Sequence, residues 1–221
     1  MVSLSASLGA DEAARRDMRI TSFNGPVTLR TAEEPRTPAL LSEETPLNEG
    51  DVIETGPHAE AEIILEGQSV FRLQSNSKLK IRFLYVKNTQ LEMKVGSFLA
   101  KIKSSPETEG IIVKLPTAVL AIRGTELAAA TAPGISYVGV FEEGKVAVAG
   151  AWGHEHVIVG PHQETQVPLS NVPAPPHKLI HFTKYRSGMI ALRKRTAYWR
   201  AKWKPLAPGQ KAVIRLRLKS K

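Results

Sequence analysis

From Gly50 onward, apolar and polar residues alternate in short runs. Ala59, Ala61, Ile63 and Leu65 share one side of an extended segment, and Glu60, Glu62 and Glu66 share the other. A period of two marks a half-buried strand, because successive side chains point to opposite faces. The pattern resumes after Gly67, with Phe71 and Leu73 on one face and Arg72 and Gln74 on the other. Leu79, Ile81, Phe83 and Tyr85 alternate with Lys78, Lys80 and Arg82, and Leu91, Met93 and Val95 with Gln90, Glu92 and Lys94. Val146 and Val148 follow the turn at Glu143-Gly144. Turn signals at Gly56-Pro57, Gly67, Ser75-Asn76, Asn88, Gly96, Pro116, Gly124, Pro133-Gly134 and Gly144 separate these runs. Short strands so punctuated predict an all-β body, either an irregular twisted β-solenoid-like stack or a β-sandwich. The glycines at 67, 96 and 144 are unevenly spaced, which excludes an exact short repeat.

The flanks read differently. Residues 1–17 are expected to be a flexible N-terminus, a signal-peptide remnant, or a short helix around 13–16. Residues 18–31 read as a strand pair broken at Asn24-Gly25, a tight-turn dipeptide. A Pro- and Glu-rich connection over 32–49 would be tucked in by Leu40, Leu41 and Leu47. The short apolar run Val119-Leu120-Ala121-Ile122 reads as a central strand. The β-domain is expected to span 18–167, followed by a Pro-rich linker at 168–177 and a basic helix plus terminal strand at 178–221. Phe182, Tyr185, Met189, Leu192, Thr196, Trp199 and Trp203 recur every three or four residues, one stripe of an amphipathic helix ending at Pro205. Lys184, Arg186, Arg193, Lys194, Arg195, Arg200 and Lys202 lie mostly off the stripe. Over 211–219, Ile214, Leu216 and Leu218 alternate with Arg215, Arg217 and Lys219, which predicts a final strand needing a sheet edge.

Charge divides the chain in the same place. From Thr165 to Lys221 there are fourteen Lys and Arg and no Asp or Glu, whereas the rest carries sixteen basic and twenty-one acidic residues. A mildly acidic body thus bears a basic tail, which calls for an acidic partner: a lipid surface, nucleic acid or an acidic protein face. Phe182, Tyr185, Met189, Arg193, Lys194, Arg195, Trp199, Arg200 and Trp203 are the candidate partner or membrane surface. The favoured reading, however, packs the stripe on the β-body with the cations solvated, and a helical stripe suits burial better than base stacking. Absent cysteine excludes disulfides, thiolate metal sites and a cysteine nucleophile. His154, His156 and His162 lack a recognised ligand spacing, so no metal or cofactor is expected. Glu142 and Glu143 are adjacent and would point to opposite faces of a strand. No nucleophile elbow or phosphate loop occurs, so an enzyme is not expected.

An ordered set of segments resembles the FecR domain family over roughly residues 47–149. It comprises Leu47 with Gly50-Asp51-Val52-Ile53-Glu54-Thr55-Gly56, then Ala61 to Gly67, and Leu91 to Ile102 around Gly96. Pro116 to Leu127, with Arg123-Gly124-Thr125 its most specific part, and Val138 to Val148 around Gly144 complete it. Within it, Gly124 would supply a positive φ or a close backbone approach, and Thr125 would cap a neighbouring turn. The resemblance implies an extracytoplasmic, periplasmic β-module in a bacterium that relays a receptor's state to an anti-sigma function. Another envelope protein is the expected partner, with an anionic membrane surface second and nucleic acid disfavoured; no small-molecule ligand is indicated. No apolar run of about eighteen residues is present to span a membrane. Unlike the sigma-regulator members of that family, the chain is expected to carry neither a cytoplasmic anti-sigma segment before the domain nor a receptor-signalling domain after it, so the expectation is a generic binding, relay or scaffolding unit.

Overall fold

A computed structural model describes residues 15–39, 41–104, 110–207 and 209–218, with the side chain of Arg217 left aside. The expectations for the first fourteen residues lie outside them. Arg15 and Arg16 are extended, not helical: Arg15 bridges Tyr85, and the Arg16 N–H donates to the Leu84 carbonyl at 2.8 Å.

The chain deals its strands alternately to two sheets. One sheet takes β1 (Met18–Asn24) and the other β2 (Val27–Arg30); β3 (Thr45–Pro46) returns to the first and β4 (Val52–Thr55) to the second. Pairs then alternate. β5 (Glu60–Leu65) and β6 (Ser69–Leu73) join the first sheet, and β7 (Lys78–Tyr85) and β8 (Asn88–Val95) the second. β9 (Ser97–Lys101) enters the first alone, before β10 (Ile111–Lys114) and β11 (Ala118–Arg123) in the second. β12 (Glu126–Ala132) and β13 (Ile135–Val140) join the first, β14 (Lys145–Gly150) and β15 (His156–Val159) the second, and β16 (Gln163–Pro168) and β17 (His177–Lys178) the first. Spatial order runs β3-β1-β5-β6-β9-β12-β13-β16-β17 in one sheet and β2-β4-β7-β8-β10-β11-β14-β15 in the other. Apart from β3, chain order is spatial order. The two architectures expected from sequence therefore coincide: the chain advances like a solenoid, yet builds two facing sheets that do not close into a barrel.

Ile20, Ile53, Ile63, Phe71, Ile81, Phe98, Leu120, Val138 and Val148 fill the space between the sheets. Three local expectations are corrected. Asn24-Gly25 is a corner, not a hairpin, because β1 and β2 lie in different sheets; Gly25 takes a φ of +72° where a Cβ would press on Ala59. In β7 a bulge between Ile81 and Phe83 reverses the phase, so Leu84 turns inward while Phe83 faces solvent. β11 is interior to its sheet, but Ala121 is exposed, so the run is half-buried.

After β17 a single 3₁₀ turn (Thr183–Tyr185) leads into α1 (Arg186–Lys202): the predicted helix forms but starts later than the stripe implies, with Phe182 and Tyr185 ahead of it. The expected final strand is instead a helix, α2 (Gln210–Leu218). Its inward residues, Lys211, Ile214, Arg215 and Leu218, recur at helical spacing, while Leu216 points to solvent. The Ile214-Leu216-Leu218 alternation is thus incidental. Among the described residues, no helix is long and apolar enough to cross a membrane.

Candidate functional site

The outer face of the nine-stranded sheet carries a second apolar layer. Ile64, Val70, Leu99, Ala128 and Phe141 pack there against Leu179, Phe182, Met189, Leu192 and Trp199. Side chains of a strand alternate between faces, so Ile64 and Glu62 of β5 point away from the main core. Both are nevertheless buried, because α1 covers them. Each fully covered large apolar side chain stabilises the docking by about 1.5–3 kcal/mol. Thr196 sits in this apolar layer without an unmet donor, since its Oγ1 donates to the Leu192 carbonyl at 2.8 Å.

Carboxylates on the same face fix the register of the helix. Glu126 is fully buried at the head of β12. Arg193 grips it with two parallel hydrogen bonds, Nε to Oε1 at 2.7 Å and Nη2 to Oε2 at 2.6 Å, and Lys101 Nζ adds a third at 2.8 Å. Arg193 also pairs with Glu142, and Lys101 with Glu143. Burial alone would raise the Glu126 carboxyl, but the hydrogen bonds from Arg193 and Lys101 outweigh it and hold the group below its ordinary range. Burial likewise opposes the charge on Lys101, yet its two carboxylate partners raise it. The hydrogen bond to Glu126 raises Arg193 further. Across the sheet Glu62 accepts from Arg195 at 2.7 Å and Arg72 at 3.1 Å. Glu164 receives the His181 backbone N–H at 3.0 Å on each oxygen. Trp203, just past the helix, rests on the β5–β6 turn: a Cβ on Gly67 would lie 2.5 Å from its Cγ, and Arg19 stacks over its ring at 4.1 Å.

α2 is seated by a second clasp. Asp51, fully buried, accepts from Arg215 at 2.7 and 3.0 Å and from the N–H groups of Asn48 and Ala32 at 2.8 and 3.1 Å. Arg215 also donates to Glu33 at 2.7 Å and to the Pro46 carbonyl at 3.2 Å. Desolvation works against the charges on Arg215 and Glu33, but hydrogen bonds to Asp51 and then Glu33 raise Arg215, and a backbone hydrogen bond together with Arg215 lowers Glu33.

The motif residues singled out from sequence fall into turns and at strand ends, not one cleft. Gly50 has a φ of +84°, and the Gly56 N–H donates to the Pro26 carbonyl at 2.8 Å. Thr55 Oγ1 bridges the Gln74 carbonyl at 2.6 Å and the Ser77 N–H at 2.9 Å, and Gly96 packs on Ser77. Gly124, Thr125 and Gly144 stack together. Gly124 has a φ of +65°, with Ser104 Cβ 2.9 Å from where its own Cβ would stand, and Thr125 Oγ1 donates to the Lys145 carbonyl at 2.9 Å. Arg123 is exposed beside them. Of the surface residues singled out, Phe182, Met189 and Trp199 are buried in the docking layer and Tyr185 and Trp203 half-buried at its ends, Arg193 and Arg195 are ion-paired, and Lys194 and Arg200 face solvent. The roles of Glu62, Glu126, Glu164, Asp51 and Arg215 as clasps were missed. The tail's excess positive charge was the signal, since an acidic body and a basic tail in one chain can neutralise each other. Among the described residues no group of His, Asp and Glu is arranged to hold a metal.

Comparison with known proteins agrees with this architecture. Residues 51–147 match the family described as FecR protein. No curated protein matches the chain. Two crystal structures of a candidate anti-sigma factor from Parabacteroides distasonis ATCC 8503 are similar in fold, each with a TM-score of 0.51 and 13% identity. Each match covers 60% of this chain and 62% of that one, so the likeness spans less than two thirds of that protein. Residues 51–147, a little under half of the chain and the central part of the two-sheet stack, are thus similar to the FecR protein family.

Proposed function

We propose that this chain is a non-enzymatic FecR-domain module of a bacterial envelope, acting outside the inner membrane by binding another protein to relay or scaffold a signal. The FecR match over residues 51–147 carries the reading, since the resemblance implies a β-module that relays a receptor's state from outside the inner membrane. The disposition of charge supports it. Glu62, Glu126, Glu164 and Asp51, the buried carboxylates most suited to chemistry, are all engaged in holding the chain's own backbone and C-terminal segment. Arg193, Arg195 and Arg215 are occupied in the same contacts, which argues against the tail as a nucleic-acid or lipid grip.

The test is made in the source organism. Deleting the gene should shift a defined set of transcripts, restored by the wild-type gene, and crosslinking in living cells should join the chain to an envelope protein. An unchanged transcript profile with no envelope crosslink contradicts the proposal.

A further inference from the structure

We propose that one end of the sandwich inserts into the interfacial region of a phospholipid bilayer, through Trp152, Leu169 and Val172. Two loops build this tip: residues 151–155, between β14 and β15, and residues 169–176, between β16 and β17. They touch. A Cβ on Gly153 would lie 3.0 Å from the Asn171 carbonyl oxygen, and Gly150 packs still more tightly on the same residue. Leu169 leans over the β12–β13 turn, its Cδ1 3.2 Å from where a Gly134 Cβ would stand. Yet Trp152 is 85% exposed, Leu169 72% and Val172 51%.

This exposure is held by the fold. The Ala151 N–H donates to the Thr117 carbonyl at 3.0 Å, and Thr117 Oγ1 donates to the Val167 carbonyl at 2.7 Å, so one threonine ties the first loop to the strand that leads into the second. The Asn171 N–H reaches the Pro168 carbonyl, and the Ala174 N–H the Gln166 carbonyl, each at 2.9 Å. Thr165 Oγ1 closes the second loop on the Ala174 carbonyl at 2.6 Å. Prolines at 173, 175 and 176 restrict it further. A pre-set loop loses little freedom on binding.

Lipid is the occupant this tip fits. Residues 169–176 carry no ionisable side chain, and residues 151–155 carry only His154 and Glu155, so little charge need leave water. Counting about 200 Å² for the indole, the three side chains expose roughly 400 Å², half of the ~800 Å² that a stable protein partner buries on each side. A bilayer accepts a small convex protrusion without a matching pocket, and Trp favours the headgroup depth. The proposal is independent of the relay reading and of α1, whose apolar stripe faces the sheet.

The test uses the full chain with vesicles of phosphatidylcholine alone and of phosphatidylcholine with phosphatidylglycerol. The expected result is flotation with both, a blue shift of tryptophan emission, and quenching by brominated acyl chains. Trp152→Ala and the pair Leu169→Ser with Val172→Ser should each weaken vesicle binding about tenfold or more without changing the thermal melt. Absence of vesicle binding overturns the proposal, as does binding unchanged in Trp152→Ala. Binding that needs phosphatidylglycerol, vanishes in salt and survives Trp152→Ala would place lipid on the basic helix and also overturn it. Self-association lost in Trp152→Ala, with no lipid binding, would assign the tip to a second copy instead.

Discussion

The pair between Arg193 and Glu126 offers the sharpest energetic prediction. Arg193→Ala leaves a carboxylate that is 0% exposed with Lys101 as its remaining cation. Removing one member of a buried pair costs about 3–5 kcal/mol. Arg193 is itself 35% exposed, and Lys101 stays, so solvent screening and the second partner reduce the cost to about 2–4 kcal/mol. Glu126→Gln keeps the shape and an acceptor, and leaves Arg193 to Glu142 and water, so about 1–2 kcal/mol is expected. The double variant should be less destabilised than the sum, with a coupling of about 1–2 kcal/mol. Equilibrium unfolding in urea at neutral pH, followed by circular dichroism, measures all three. Lys194→Ala, on the outward side of the same helix, is the control and should stay within about 0.5 kcal/mol of wild type. If Arg193→Ala and Glu126→Gln behave like that control, with no coupling, the clasp does not hold the helix and the reasoning fails.

The same carboxylate sets a pH dependence. Glu126 is held below its ordinary value of 4.5, so its contribution is present above that pH and is lost as pH falls through the lowered folded value. Acid unfolding should therefore be less steep in Glu126→Gln, and an unchanged profile would contradict the assignment. Lys101 is raised above 10.5, so its share is present below that pH and is lost as pH climbs through the folded value; Glu126→Gln should weaken this alkaline limb too. Gly144→Val should destabilise by about 2–3 kcal/mol or more, because its φ is +86° and its Cβ would lie 2.6 Å from Thr125 Oγ1; Gly124→Val should follow closely, and wild-type melting of either would refute the turn. At Gly139 a Cβ would stand 2.5 Å from Phe182 Cδ2 and 2.6 Å from Leu179 Cδ1, so Gly139→Val should loosen α1 selectively, seen as faster amide exchange across residues 182–199. Equal exchange in the two proteins would count against the docking.

How much could be read from sequence depended on whether one surface decided the pattern. Strands that face only the main core, such as β8 with Leu91 and Met93 inward, alternate plainly, although Val95, placed on the same face by the pattern, is exposed at the strand's end. Where a second layer covers the outer face, as over β5, Glu62 and Ile64 are buried with Ile63 and Leu65, and alternation cannot tell a covered glutamate from a solvated one. A bulge is silent in sequence, which is why Phe83 and Leu84 exchange roles. In α2, three alternating aliphatics outvoted a helical face completed by Lys211 and Arg215, because buried cations look polar until Asp51 and Glu33 are seen beside them. The family motif was legible through its glycines and Asp51. Its use of Asp51 and Gly67 to receive the C-terminal segment was not, since both contacts join residues more than a hundred positions apart.

The most direct measurement isolates the two tryptophans of the docked segment. Trp152→Phe removes the exposed indole and leaves Trp199, buried on the sheet, and Trp203, half-buried on Gly67. In buffer alone, with neither lipid nor partner, this variant should emit at the blue end of the tryptophan range and resist quenching by iodide. Emission typical of indole in water, with full access to iodide, would mean that the basic helix does not pack on the FecR domain.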